Sequence, residues 1–488
     1  MTFDVVVIGG GPGGYVAAIR AAQEGFSTAL IEYNKLGGEC LNYGCIPSKA
    51  LITAGHLLDK INNASTMGIT VQGVKVDLAK LIDWKASIVK SLTGGVGQLL
   101  KANGVTHITG KATFSKLDGD KKIITVEGEK KSEITASKVI IASGSETVHL
   151  PFLPLDGETV LGSKEALDVK KIPESIIVVG GGFIGLEIGT FYSKLGTKVT
   201  IVEATEGLLP GTDRECVDVV AKKLKKKGIE VLLKTKAKSF KKISSNIKKQ
   251  SNNSAELTVE LEDGSTKKLT ADWVLVTVGR KPRSKDLGLD KVGVKVSDRG
   301  FIEVNSHLET ATPGIYAIGD VIGGAMLAHK ASKEGLVAVE HMKNPATTID
   351  VKALPWAIFV DPEIAVVGHS EESARAAGWN PVVGKCPFVA NGRALTTGEA
   401  EGFAKLIVDK DSDRVLGATM VGPDVSNLIM EVAVAIEMGA TSHDIALTVH
   451  AHPTLPETLM EAAEAVHGKA IHFFQRKAAT AKTVQAST

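Results

Sequence analysis

The sequence is poor in cysteine, in aromatic residues and in net charge. Four cysteines, Cys40, Cys45, Cys216 and Cys386, occur in 488 residues, far too few for the disulfide framework of a small secreted scaffold. A formal charge of +2 gives no field strong enough to make nucleic acid or an anionic membrane the main partner. The basic run from Lys222 to Lys227 reads as the solvated face of a helix end. No stretch approaches the roughly 20 apolar residues of a membrane helix, and a strand begins almost at once, so neither a signal peptide nor membrane association is expected. These absences predict a cytoplasmic protein in which a cysteine pair is chemical rather than structural. Glycine is plentiful, with 51 residues and no collagen-like period, as tight turns and phosphate loops require. The length exceeds what one hydrophobic core supports, so several domains are expected.

Residues 4–8 form an apolar run that ends in Gly9-Gly10-Gly11-Pro12-Gly13-Gly14. A helical pattern and a second apolar strand ending at Glu32 follow. The same succession of strand, glycine turn, helix and strand returns at residue 176, with Gly180-Gly181-Gly182-Phe183-Ile184-Gly185 and a terminal Glu203. One such glycine motif is a weak signal, but here each copy has its strand, its helix and its acidic residue. Gly9 and Gly180 suit the tight turn, Gly11 and Gly182 the close approach of a diphosphate, and Gly14 and Gly185 the packing of helix on strand. The diphosphate then meets the free N–H groups of a helix N-terminus. Glu32 and Glu203 can accept hydrogen bonds from the hydroxyls of an adenosine ribose. Glu203 also repels a 2′-phosphate, and the next four residues supply no arginine, which favours NAD over NADP. From about residue 350 strands alternate with long helices and no glycine motif appears, which indicates an α+β domain.

The segment Cys40-Leu41-Asn42-Tyr43-Gly44-Cys45 follows the first unit. In a regular helix, residues five apart have Cα atoms about 8–9 Å apart, too far for a disulfide, so bridging them needs a distorted turn that Gly44 can supply. A disulfide strained in this way is readily reduced, which suits a catalytic cycle better than a staple. The alternative is two buried cysteines close together by chance. Cys216 and Cys386 read as ordinary small apolar residues. Near the other end stands His450-Ala451-His452-Pro453-Thr454-Leu455-Pro456-Glu457. Thiol chemistry needs a base near neutral pH, and His452 oriented by Glu457 fits that role. Two histidines one residue apart also suggest a metal, but no further ligand lies nearby, so no metal is expected and His450 reads as structural.

The cysteine motif (GGECLNYGCIPSK), the two glycine units, the segments at 312–320 and 326–331, and the histidine motif together resemble the pyridine nucleotide–disulfide oxidoreductases of the glutathione reductase type. The resemblance runs from Thr2 to about His472. It implies an α/β fold with two Rossmann-like dinucleotide-binding domains and a C-terminal α+β dimerisation domain. Residues 1–148 and 273–345 would form the FAD and central domain, 149–272 the NAD-binding domain, 346–472 the dimerisation domain and 473–488 a flexible tail. By the same resemblance Asp320 contacts the flavin ribitol, and Ala112, Ser143, Gly144, Met326, Leu327, Ala328 and His329 lie along the FAD. Lys49 pairs with Glu187 near the reactive edge of the flavin, and Gly279 contacts NAD. His452 and Glu457 reach the cysteines of the other subunit of a homodimer, and the bond before Pro453 is cis.

Within the family the chain is most similar to the branch that oxidises protein-bound dihydrolipoyl groups. That likeness implies a lipoyl domain of a 2-oxoacid dehydrogenase acyltransferase or of a glycine cleavage carrier as partner. The alternative is an NAD-dependent reductase of another small disulfide. Three positions depart from the family pattern: Glu39 stands where threonine is common, Ser143 replaces a threonine, and Val360 replaces a hydroxyl residue. Glu39 places a negative charge beside Cys40 and is expected to raise that thiol's pKa.

Overall fold

The computed structural model describes residues 1–168, 170–244 and 253–475. Most of the polar insert between residues 244 and 254, and the tail from residue 476 onward, lie outside them. The described chain divides into two compact units, residues 1–210 with 227–350, and residues 211–226 with 351 onward.

The first unit opens with β1 (Thr2–Ile8), α1 (Pro12–Gln23) and β2 (Thr28–Glu32). Val5, Val6 and Val7 of β1 are fully buried, a continuous apolar run of the kind a parallel strand covered on both faces requires. Each such side chain contributes about 1.5–3 kcal/mol by leaving water. Pro12 occupies the first turn of α1, where its fixed φ and missing N–H cost nothing. The helices α2 (Gly38–Tyr43), α3 (Cys45–Asn62) and α4 (Leu78–Ala102) follow, then β3 (Thr106–Thr109), β4 (Lys111–Asp118), β5 (Lys121–Glu127) and β6 (Ser132–Ile141). These strands make one sheet in the order β3-β2-β1-β6-β5-β4. Its β3-β2-β1-β6 part is parallel, with Val6 facing Val139, and its β5 and β4 edge is antiparallel.

A second parallel sheet repeats the plan. After β7 (Ser145–Thr147) come β8 (Val160–Leu161), α5 (Ser163–Leu167), β9 (Ser175–Val179), α6 (Phe183–Lys194) and β10 (Lys198–Val202). The chain then forms α7 (Arg214–Lys226), β11 (Glu230–Leu232), the three-stranded antiparallel sheet β12 (Lys236–Ser244), β13 (Asn253–Glu260) and β14 (Thr266–Ala271), and β15 (Trp273–Val276). The order β11-β10-β9-β15-β8 is that of a doubly wound nucleotide domain. β16 (Arg280–Pro282) pairs with β7, β17 (Ile315–Ala317) returns to β6 of the first sheet, and α8 (Ala328–Lys343) closes the unit.

The second unit is an antiparallel sheet of β18 (Trp356–Ile358), β19 (Glu363–Gly368), β20 (Pro381–Pro387), β21 (Phe403–Asp409) and β22 (Val415–Gly422), in the order β18-β19-β22-β21-β20. It carries the short α9 (Glu371–Ala376), α10 (Gly392–Thr397) and α12 (Ser442–Leu447), and the longer α11 (Val425–Met438) and α13 (Glu457–Val466). The contiguous division 149–272 expected from the sequence does not describe α7, which packs within this unit. α7 buries Cys216, Val217, Val220 and Leu224, and ion pairs tie it to this unit. The nearly buried Lys405 ammonium lies 2.5 Å from Asp213 and 2.7 Å from Glu215, and Lys223 reaches Glu401 at 3.0 Å. Cys216 on α7 and Cys386 on β20 are buried thiols held above their ordinary pKa by burial.

Candidate active site

The two glycine turns share one backbone plan. Gly9 has φ +108° and Gly180 φ +109°, a region side chains rarely enter. A Cβ on Gly14 would lie 1.9 Å from the Gly9 carbonyl oxygen, and one on Gly185 would lie 2.4 Å from that of Gly180. Gly182 faces open space. Glu32 accepts the Gly10 N–H at 2.7 Å and the Asn34 N–H at 2.7 Å, while Glu203 accepts Gly181 at 2.6 Å and Thr205 at 2.7 Å. Each carboxylate is thereby fixed, and each oxygen keeps a lone pair for a ribose hydroxyl. Glycines that leave room for phosphate, helix N-termini that attract it and fixed carboxylates beyond fit one dinucleotide per unit. Gly279 has φ +127° and nothing within 4 Å of a built Cβ, which leaves its backbone open beside the second turn.

Between the first turn and the start of α6 lies a cleft. Gly11, Gly144, Asp320, Met326 and Ala328 line it together with Cys40, Cys45, Lys49 and Glu187. The structure thus gathers residues from five separated stretches of chain. Lys49 Nζ donates to the buried Glu187 carboxylate at 2.8 Å, which joins α3 to α6. Leu327 caps α8 and His329 follows in its first turn, whereas Ser143 Oγ turns away to donate to the Arg283 carbonyl at 2.7 Å. Ala112 packs in the sheet core, so only its backbone could face a nucleotide.

The cysteines occupy the break between two helices. α2 ends and α3 begins at Gly44, whose φ of −128° and ψ of −100° interrupt the helical path. That break sets Cys45 at the first position of an 18-residue helix, where the helix dipole favours a thiolate. Both sulfurs are thiols in this structure. The Cys40 thiol donates to Cys45 and with Lys49 brings Cys45 down to about 7 against burial, while the same partner and burial push Cys40 up. Of the two sulfurs, the thiolate form is favoured at Cys45 and disfavoured at Cys40.

The geometry makes Glu39 an indirect rather than a leading influence on Cys40. Cys40 is raised chiefly by Cys45 and burial, and the Glu39 carboxylate faces Arg280 at 3.8 Å and Arg283 at 4.0 Å. Sequence reasoning missed both arginines, as well as Ser145, whose hydroxyl joins Arg280 to Asp320. The signal was present in Gly279-Arg280-Lys281-Pro282-Arg283, two arginines just past the strand that closes the second unit.

In the second unit, His452 Nδ1 lies 2.8 Å from Glu457 Oε1, and Thr454 N–H donates to Glu457 Oε2 at 2.7 Å. Although burial opposes it, these two partners hold the Glu457 carboxyl below its usual range. The imidazole is 78 % exposed, so its Nε2 is free to accept a proton. His450 is different: its nitrogens meet the Thr448 carbonyl at 2.7 Å and Glu431 at 3.0 Å, the saturated arrangement of a structural histidine. The His452–Pro453 bond is cis, as is Asp361–Pro362, which the sequence did not announce.

Residues 3–335 match the family described as pyridine nucleotide-disulphide oxidoreductase, and residues 354–463 match its dimerisation domain. The chain belongs to that family. Among curated relatives, the dihydrolipoyl dehydrogenase of Haloferax volcanii is 46% identical over 97% of this chain and 98% of its own length. That of Geobacillus stearothermophilus is 44% identical over the same shares. A crystal structure of LpdA from Mycobacterium tuberculosis superposes with a TM-score of 0.87 at 27% identity, covering 94% of this chain and 99% of that one. Like its relatives, this oxidoreductase works with FAD and NAD, and its two glycine units have the geometry for one nucleotide each. Among the described residues no helix is long and apolar enough to cross a membrane.

Proposed function

We propose that the chain is a dihydrolipoyl dehydrogenase whose working pair is Cys40 and Cys45, with FAD on the first glycine unit and NAD on the second. The observation that carries this reading is the asymmetric thiol pair at a helix break in the cleft beside the Lys49–Glu187 bridge. In the oxidised enzyme the two sulfurs form a disulfide. His452 of the partner subunit, oriented by Glu457, takes a proton from a dihydrolipoyl thiol, and the resulting thiolate attacks Cys40 Sγ. The Cys40–Cys45 bond breaks and Cys45 leaves as the thiolate that its helix terminus and Lys49 favour. The second dihydrolipoyl sulfur then displaces Cys40, its thiol proton passing to the departing Cys40 sulfur, which releases lipoyl disulfide and leaves Cys40 a thiol and Cys45 a thiolate. FAD held along Gly9, Gly11, Gly14, Glu32 and Asp320 would supply the two-electron acceptor between the reduced Cys40–Cys45 pair and NAD. The balance is dihydrolipoyl plus NAD⁺ giving lipoyl plus NADH and H⁺.

The partner in this reading is a lipoyl domain of a 2-oxoacid dehydrogenase acyltransferase or of a glycine cleavage carrier, and the working form is a homodimer. Support comes from the full-length likeness to dihydrolipoyl dehydrogenases and from the match to the dimerisation domain. Steady-state rates with dihydrolipoamide, glutathione and a quinone, each with NAD(H) and NADP(H), test it. Dihydrolipoamide with NAD should be fastest by at least about tenfold; faster turnover of glutathione disulfide with NADPH would overturn the assignment.

A further inference from the structure

Gly37 and Gly38 bring the cysteine segment directly over the first phosphate turn. Gly37 N–H donates to the Gly10 carbonyl at 2.8 Å, and a Cβ on Gly38 would lie 2.6 Å from Gly11 Cα. The next residue, Glu39, therefore stands on the cleft wall, one position before Cys40. Its two carboxylate oxygens face different arginines, Oε1 towards Arg280 and Oε2 towards Arg283. Both guanidiniums are held from behind. Arg280 donates to the Ser145 hydroxyl at 2.7 Å and to the Ser145 carbonyl at 3.0 Å, while the Ser145 hydroxyl donates to Asp320. Arg283 lies 3.8 Å from Glu146, and its backbone bonds to Ser143 and Gly144.

We propose that Glu39 is a positioning residue that holds Arg280 and Arg283 in a balanced ion cluster on the cleft wall and so withholds their positive charge from the neighbouring Cys40–Cys45 pair. The inference rests on that pair being the redox centre. The groups facing the cluster are Glu146 and Asp320 on the acidic side, and on the basic side Lys281, 3.0 Å from Glu146, and Lys49, paired with Glu187. Arginine cannot lose its charge near neutral pH. With Arg280, Arg283 and Lys281 against Glu39, Glu146 and Asp320, the cluster is balanced, three charges to three. Removing one carboxylate leaves guanidinium charge uncompensated beside two sulfurs in a partly desolvated cleft, where an opposite charge favours the thiolate. Glu39 is thus a counter-ion for the arginines rather than a direct repulsion on Cys40.

The test is the pH dependence of iodoacetamide alkylation at Cys40 and Cys45 in the reduced, flavin-loaded dimer, read by peptide mass. In Glu39→Gln the midpoints should fall by about half a unit to one unit. In Glu39→Gln/Arg283→Gln they should return towards the parent, because the pair of changes restores the charge balance. A merely structural staple predicts that the double variant is at least as perturbed as the single one, and that result, or midpoints unmoved in the single variant, would overturn the proposal. Rates scaled to bound flavin keep the comparison sound if loading drops. Loss of dihydrolipoamide activity in Cys45→Ser with unmoved midpoints in Glu39→Gln would defeat this inference alone, whereas full activity in Cys45→Ser would defeat the redox reading beneath it.

Discussion

In the first glycine unit the strand ending at Glu32 passes the chain to Gly37-Gly38 and a reactive cysteine, whereas in the second the strand ending at Val202, just before Glu203, passes it to Leu208-Leu209 and an ion-paired helix. The turns themselves are superimposable in φ, in the hydrogen bonds of the acidic residue and in the crowding at the third glycine. What differs is the segment that follows. In the second unit the Leu209 N–H donates to the Gly181 carbonyl at 3.0 Å and the Leu208 side chain covers Gly181, where the first unit sets Gly37 and Gly38 over its turn. One scaffold therefore serves two nucleotides, and the chemistry resides in roughly a dozen residues attached to only one copy.

Breaking each turn separately should give the largest contrast. Gly14→Val should abolish flavin retention, because its Cβ has no room against the Gly9 carbonyl; Gly185→Val should keep bound flavin while losing NAD-linked turnover. Absorbance of the purified variants and NAD titration distinguish the two. Next in size, Cys45→Ser should lower dihydrolipoamide-to-NAD rates by at least about a thousandfold while sparing the reduction of dyes by NADH, a comparison made by steady-state assays of the same preparation. Glu203→Ala should raise the KM for NAD about tenfold, the loss of roughly 1.4 kcal/mol of charge-assisted hydrogen bonding, with flavin content unchanged. Smallest is a pH effect. Cys45 should become alkylatable as pH rises through about 7, and Lys49→Met, which removes a charge favouring the thiolate, should move that midpoint upward by up to about one unit.

Features encoded by contiguous residues were legible in the sequence. Both glycine turns, the helix break at Gly44 and the His452–Glu457 dyad depend on neighbours within about six positions, and local pattern suffices to read them. The Lys49–Glu187 bridge was reached through family resemblance, since 138 positions separate the two residues. Features that need distant partners were not legible. Glu39 looked like a charge acting on Cys40 because Arg280 and Arg283, some 240 positions away, were not known to face it. α7 looked like part of the nucleotide domain because its amphipathic pattern does not say which sheet its buried face will meet, and only the Lys405 network shows that. A carboxylate's influence depends on what answers its charge in space, which sequence adjacency does not record.

The most direct test of the central claim is a thiol count by peptide mass after anaerobic reduction of the oxidised dimer with one equivalent of dihydrolipoamide per active site in the absence of NAD. The account predicts that Cys40 and Cys45, closed to alkylation beforehand, both become alkylated while Cys216 and Cys386 stay unmodified, and that adding NAD closes the pair again with stoichiometric NADH formed. Full NADH formation with Cys40 and Cys45 unreactive throughout would contradict it.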